Sequence, residues 1–110
     1  MINEKEVSED LKNVPDEEFL ENIRKILFID KRKYLRQNIF QVKILMLKEL
    51  SNRKKLVIKH DSPTGPYITG TKNLDCDQVD IILKKYSYIK EPLECIVYDK
   101  RISFNKILTI

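Results

Sequence analysis

The most apolar segment of the chain, residues 39–50, decides which fold the sequence can adopt. Every second residue from Phe40 to Met46 is apolar, as in a strand, but a longer apolar set recurs at helical spacing over about four turns. That set is Leu35, Ile39, Val42, Met46 and Leu50. Because Leu, Met, Lys and Glu predominate after position 45, we predict a helix from about 34 to 52, with a strand over 39–47 as the alternative. So wide an apolar surface places this helix deep in the core.

A second amphipathic helix is predicted over residues 16–28. Pro15 suits the start of a helix, and the three acidic residues that follow it suit the positive end of the helix dipole. Phe19, Ile23 and Ile26 then recur on one helical face. The pattern indicates that this face packs on the core.

The first thirteen residues have little to bury. Val7 and Leu11 are their only regularly spaced apolar pair, and acidic residues surround them. We therefore predict a flexible acidic arm over residues 1–13 and a single domain over residues 14–110.

Two hairpins are predicted in the second half of the chain. Residues 56–60 and 67–71 are rich in β-prone side chains and flank a turn-forming segment, residues 61–66, which contains Pro and Gly. Residues 94–98 and 102–110 flank a second short polar turn. Strands joined by such short turns pair in antiparallel fashion.

A third helix lies between the hairpins. Asp75 or Asp77 is placed to cap it, and Asp75 with Gln78 has the spacing of a capping box. The predicted fold class is therefore α+β: two N-terminal helices, then a β-hairpin, a helix and a β-hairpin. The helices are expected to pack on one face of an antiparallel sheet of about four strands.

The chain is predicted to act in the cytoplasm. No apolar run approaches the roughly 18 to 20 residues that a membrane-spanning helix needs, so no membrane contact is expected. The first thirteen residues lack the apolar core of a secretion signal. Small size and a lysine and isoleucine bias favour a virus or mobile element as the source, in which case the compartment is the host cytoplasm.

Neither a metal nor a cofactor is expected. Cys76, Cys95 and His60 are too few and too far apart for a structural zinc site. The residues around Asp75 lack the glycine and glutamate of an EF-hand loop, and those around Gly65 lack the lysine of a phosphate-binding loop.

Catalytic chemistry has one candidate, His60, the only histidine of the chain. A general base must first satisfy geometry. A metal-free, ribonuclease-like enzyme could combine His60 with Tyr67, Lys59 and Arg53 on a basic sheet face. We keep this as the third functional hypothesis, and the sequence favours a protein that is not an enzyme.

Basic residues flank the central apolar helix. Residues 23–55 contain eleven basic and two acidic residues, whereas residues 1–22 contain eight acidic and two basic ones. The candidate phosphate-binding residues are Lys31, Arg32, Lys33, Arg36, Arg53, Lys54 and Lys55. The second functional hypothesis is therefore nucleic-acid binding through the phosphate backbone.

The first functional hypothesis is a small non-enzymatic regulatory or inhibitory protein that binds a protein target stoichiometrically. Such binding needs a complementary surface and no catalytic motif. The last residues, Leu108, Thr109 and Ile110, end a predicted edge strand that could pair with a strand of a partner. The same edge would allow two copies of the chain to associate.

Overall fold

A computed structural model describes residues 3–29, 36–61, 65 and 67–107 of the chain. Among these residues, no helix has the length and apolar character that crossing a membrane requires. The helices and strands follow one another as α1 (Glu4–Lys12), α2 (Asp16–Leu27), α3 (Arg36–Asn52), β1 (Leu56–His60), β2 (Tyr67–Ile68), α4 (Cys76–Ile89), β3 (Leu93–Val97) and β4 (Ile102–Lys106).

Helix α3 is the centre of the molecule. The helical alternative for the apolar segment is confirmed, since residues 39–47 belong to one continuous helix, Arg36–Asn52. Its side chains at Leu47 and Leu50 are almost completely buried. Helices α1, α2 and α4 and strand β1 all pack against α3. An apolar surface this wide is therefore covered from several sides, as the sequence predicts.

The predicted α+β class is confirmed, and the four strands form one sheet in the order β2-β1-β3-β4. Both hairpins are confirmed as antiparallel pairs, β1 with β2 and β3 with β4, although β2 covers only Tyr67–Ile68 of the strand predicted over 67–71. The prediction of an antiparallel sheet is wrong at its centre, because β1 and β3 are parallel. Helix α4 lies between these two strands in sequence and returns the chain to the edge where β1 begins, as a parallel pair requires.

One face of the sheet is buried. Leu56 and Ile58 of β1 pair in register with Leu93 and Cys95 of β3, and all four are nearly inaccessible within the core. Side chains alternate between the two faces of a strand. His60, two residues beyond Ile58, therefore lies on the same face as the core.

The opposite face carries charge. Lys59 Nζ lies 2.9 Å from Glu94 Oε2 across the two parallel strands. The hydrogen bond from Lys59, helped by one from Asn105, lowers the pKa of Glu94. Both residues of the pair are partly exposed, so this face is a polar surface beside the buried one.

The N-terminal segment is a packed helix. Within the segment where the sequence predicts a flexible arm, residues 1–13, Glu4–Lys12 form α1 with Asn3 as its N-cap. Leu11 is buried in the core, and α1 packs along α3. One buried leucine and an N-cap are enough to stabilise α1 as a helix because α3 offers an apolar surface on that side.

The guanidinium of Arg53, just after α3, joins three parts of the chain. It donates from Nε to Glu49 Oε2 at 2.7 Å and from Nη1 to Asp16 Oδ1 at 2.8 Å. Its Nη2 donates to the carbonyl oxygens of Leu11 at 2.8 Å and Val14 at 2.6 Å. These bonds hold the end of α3 against the connection between α1 and α2.

The same guanidinium covers an aromatic ring. The Arg53 Cζ atom lies 4.7 Å from the centroid of Phe19, which is buried in α2. A planar guanidinium can stack on a ring and donate in its own plane at the same time, and an ammonium cannot.

We predict that Arg53→Lys destabilises the protein by about 3 kcal/mol, because a lysine leaves buried acceptors without donors. Urea unfolding followed by circular dichroism measures the change. The control is Lys48→Ala, at an exposed position of α3, which should shift the free energy of unfolding by less than about 0.5 kcal/mol. Equal effects of the two substitutions would contradict this role of Arg53.

The ion pair also predicts a pH dependence. The hydrogen bond from Arg53, helped by the charge of Lys55, lowers the pKa of Asp16. A lowered folded-state pKa means that ionised Asp16 stabilises the fold above its unfolded-state pKa and that this contribution is lost as the pH falls through the folded-state value. The stability difference between wild type and Asp16→Asn should therefore shrink as the pH is lowered from 7 to below about 4. A difference that stays constant over this range in urea unfolding would contradict the prediction.

Candidate functional site

A cleft of about 330 Å³ opens where the two parallel strands end. His60 and Val97 are the last residues of β1 and β3 and pair with each other in register. The backbone N–H of Asp61 continues this pairing by donating to the carbonyl of Val97 at 3.0 Å. The polar residues that line the cleft are His60, Asp61, Asn73, Asp75, Gln78 and Asp99. Ligands of open parallel sheets bind at this carboxyl edge of the strands.

The N-terminus of α4 forms one wall of the cleft. Gln78 N–H donates to Asp75 Oδ1 at 2.8 Å, and Asp75 N–H donates to Gln78 Oε1 at 3.0 Å. The capping box that the sequence predicts is thus confirmed. It fixes both side chains at the cleft while leaving carboxylate lone pairs of Asp75 for a ligand.

His60 lies on the inner side of the cleft. Its ring lies 6.4 Å, centroid to centroid, from that of Tyr67 on the neighbouring strand. Its Nε2 atom is buried and has no hydrogen-bond partner among the residues that the structure describes. A buried polar atom of this kind marks a place where a ligand or water would bind.

The four residues of the ribonuclease-like hypothesis are not brought together. His60 and Tyr67 are neighbours, but Lys59 points to the opposite face of the sheet, where it pairs with Glu94. Arg53 lies before the start of β1 and is engaged with Glu49, Asp16 and backbone carbonyls. The geometry therefore offers His60 no cationic partner from that set.

The charge of the cleft is negative. Asp61, Asp75 and Asp99 supply three carboxylates. Within the described part of the chain, no three histidine, cysteine, aspartate or glutamate side chains converge closely enough to hold a metal ion. All three carboxylates can accept hydrogen bonds from a donor that enters the cleft.

Tyr98, also in the lining, already interacts with a cation. The Cζ atom of Arg101 lies 4.9 Å from the centroid of its ring. The backbone N–H of Tyr98 donates to the carbonyl of Arg101 at 2.7 Å, which closes the turn between β3 and β4. The rim of the cleft thus combines an aromatic ring with carboxylates, a combination that suits cationic groups.

The predicted basic cluster divides into three groups. Lys31, Arg32 and Lys33 lie outside the described residues, and Arg36 is described only as the first residue of α3.

The remaining three basic residues follow α3. Arg53 is engaged inside the fold, and Lys55 lies 3.6 Å from Asp16. Lys54 is exposed, with a left-handed backbone at φ 61°. Phosphate binding by this cluster stays a prediction. Of Arg53, Lys54 and Lys55, Lys54 is the most accessible to a phosphate.

Of the predicted partner edge, Leu108, Thr109 and Ile110 also lie outside the described residues. Strand β4 is described as far as Lys106 and forms one edge of the sheet. Pairing by this edge stays a prediction.

Among the residues that line the cleft, the sequence indicates only His60 as a functional candidate. Asp61 and Asp99 follow β1 and β3 closely, and this shared position after a strand was the available signal. It has meaning only if the strands are parallel, because antiparallel strands would place the two aspartates at opposite edges. The wrong strand direction therefore concealed the site.

We predict that the two cysteines differ sharply in reactivity. Cys76 is exposed at the first position of α4, whereas Cys95 is completely buried in β3, where burial raises the pKa of its thiol to about 12. Iodoacetamide at mildly alkaline pH should modify one thiol in the folded protein and two in urea, as counted by mass spectrometry. The Cys76→Ser variant should resist modification until it unfolds, and rapid labelling of that variant would contradict the buried position of Cys95.

Comparison with known proteins gives no match to this chain. No family model, curated protein or solved structure matches it. The geometry and chemistry of the cleft are therefore the grounds on which a function is assigned.

Proposed function

We propose that this chain is a non-enzymatic regulatory or inhibitory protein that binds a protein target stoichiometrically, and that its cleft receives a basic side chain of that target. The observation that carries the proposal is the position of Asp61, Asp75 and Asp99 in one cleft at the carboxyl edge of β1 and β3. The cytoplasm, or the host cytoplasm for a viral protein, is the proposed compartment.

Charge supports a cationic occupant. Three carboxylates accept hydrogen bonds, and lysine and arginine side chains are pure donors at neutral pH. Hydrogen bonds between such groups are the strongest that side chains form. A phosphate or another anion would instead be repelled by all three carboxylates.

Size supports a single side chain. The cleft volume of about 330 Å³ lies at the lower end of the range for small-molecule sites. Arginine, with its planar fork of donors, is enriched among the residues that dominate protein interfaces. Stacking of Arg101 on Tyr98 supplies an example of guanidinium binding at the same rim.

The proposal predicts that the cleft binds a free guanidinium compound. Ethylguanidinium titrated into isotope-labelled protein should shift the amide resonances of Asp61 and Asp99 in a saturable way, and phosphate at equal ionic strength should not. The double variant Asp61→Asn/Asp99→Asn should lose this response. A control site is the exposed first turn of α2, which carries Glu17 and Glu18. Equal resonance shifts at Glu17 and Glu18 would show that the cation is attracted to any pair of carboxylates, and this result would overturn the proposal.

A second experiment tests the protein partner. Tagged protein should recover a stoichiometric protein complex from the source cells after nuclease treatment, and the Asp61→Asn/Asp99→Asn variant should lose it. The Glu17→Gln/Glu18→Gln variant is the matched control and should retain it. A complex lost to nuclease would favour nucleic-acid binding instead, and nuclease turnover lost in a folded His60→Ala variant would favour the ribonuclease-like alternative.

A further inference from the structure

The outer face of α4 carries a stripe of four exposed residues, Asp77, Ile81, Lys84 and Tyr88, which we call the α4 stripe. Their spacing of four, three and four residues aligns them on one side of the helix over about 16 Å. Ile81 is 48% exposed and Tyr88 is 81% exposed, although both are large apolar residues. The stripe therefore combines one acidic, one basic and two apolar side chains.

The charged residues of α4 fall into two classes. Asp80 pairs with Lys43 of α3 at 2.6 Å, and the ammonium of Lys85 lies 5.6 Å from the ring centroid of Phe104. The side chains of Asp77 and Lys84, in contrast, make no hydrogen bond or ion pair with any described residue; the only side-chain contact of this kind at Lys84 is to its backbone carbonyl, which accepts from Ser87 Oγ. The two charges left without partners are thus the two on the stripe, seven residues apart.

This arrangement is complementary to itself. When two copies of the helix lie antiparallel with Ile81 facing Ile81 of the other copy, Asp77 of each copy comes opposite Lys84 of the other. A two-fold axis generates both ion pairs at once, which is the form that interfaces between identical chains take. A parallel arrangement would place like charges together, so the charge pattern selects the antiparallel one.

We propose that two copies of this chain associate through the α4 stripe, antiparallel about a two-fold axis at Ile81, with reciprocal Asp77–Lys84 ion pairs. Tyr88 flanks the pairs on each side. Helix α2 lies beside α4, with Arg24 donating to the carbonyl of Ser87 at 3.4 Å, and its C-cap residue Phe28 is 87% exposed.

The dimer is expected to be weak and to exchange with monomer. A contact centred on one helix pair buries less than the 1,200 to 2,000 Å² that is typical of stable interfaces. Dimerisation goes beyond the proposed function and does not depend on it, because the cleft residues Asp61 and Asp99 are not part of the stripe.

Sedimentation velocity over a wide concentration range measures self-association, and swapping the charges at positions 77 and 84 tests the proposed ion pairs. Asp77→Lys and Lys84→Asp should each weaken self-association about tenfold or more, and the double variant Asp77→Lys/Lys84→Asp should restore it because the ion pairs re-form with reversed sign. The matched control is Lys48→Asp, at an exposed position of α3 outside the stripe. Circular dichroism checks the fold of each variant.

Asp77 lies in the first turn of α4, where a lysine opposes the helix dipole. If Asp77→Lys fails to fold, Lys84→Asp and Ile81→Gln, both in the helix interior, should still weaken the dimer. Wild type that stays monomeric at every concentration, or a dimer indifferent to these changes, overturns the proposal. A monomer that loses its protein partner on Ile81→Gln overturns it too and assigns the stripe to that partner. The Asp61→Asn/Asp99→Asn variant should dimerise normally, so that failure of the cleft proposal and failure of the dimer are separate results.

Discussion

The guanidinium of Arg53 is the interaction on which the arrangement of the elements depends. The carbonyls of Leu11, in the last turn of α1, and of Val14, in the connection to α2, both accept hydrogen bonds from Arg53, which also pairs with Asp16 and Glu49. Leaving these part-buried carbonyls without a donor would cost more free energy than the bonds gain over water. The end of α3 is therefore fixed, and β1 begins only three residues later. The position of β1 in turn sets the sheet and the cleft at its carboxyl edge.

Helix α4 connects that architecture to both proposed surfaces. Its buried side, with Val79, Ile82 and Leu83 inaccessible, packs against the core. Its N-terminus walls the cleft through Asp75 and Gln78, and its outer side carries the α4 stripe. The two proposed surfaces therefore use different side chains of one helix, and they come closest at its first turn, where Asp77 of the stripe lies between Asp75 and Gln78.

Local signals were sufficient for most of the fold. Each of these signals involves residues that are close in sequence: the helical period of α3, the capping box at Asp75 and the turn residues between strands. The helix, the cap and the hairpin predicted from them are confirmed. The parallel pairing of β1 with β3 depends on the path of the chain through α4, which no short window of sequence records. The role of Arg53 was hidden for a similar reason. Its residue type and its neighbour Lys54 suggest a cation at the surface, and only the tertiary position of the α1–α2 connection makes it an internal hydrogen-bond donor.

The ion pair between α3 and α4 explains how an apolar helix can hold one orientation. Lys43 is only 5% exposed, and its ammonium lies 2.6 Å from Asp80. The cost of taking two charges out of water offsets much of their attraction, so a buried pair contributes little net stability. Its geometric requirement is strict, however, since any rotation or sliding of α4 on α3 would separate the buried ammonium of Lys43 from the partly buried carboxylate of Asp80. Apolar contacts alone tolerate such movements far better. We therefore expect Lys43 and Asp80 to act mainly on orientation, keeping the capped end of α4 at the cleft and the stripe turned toward solvent.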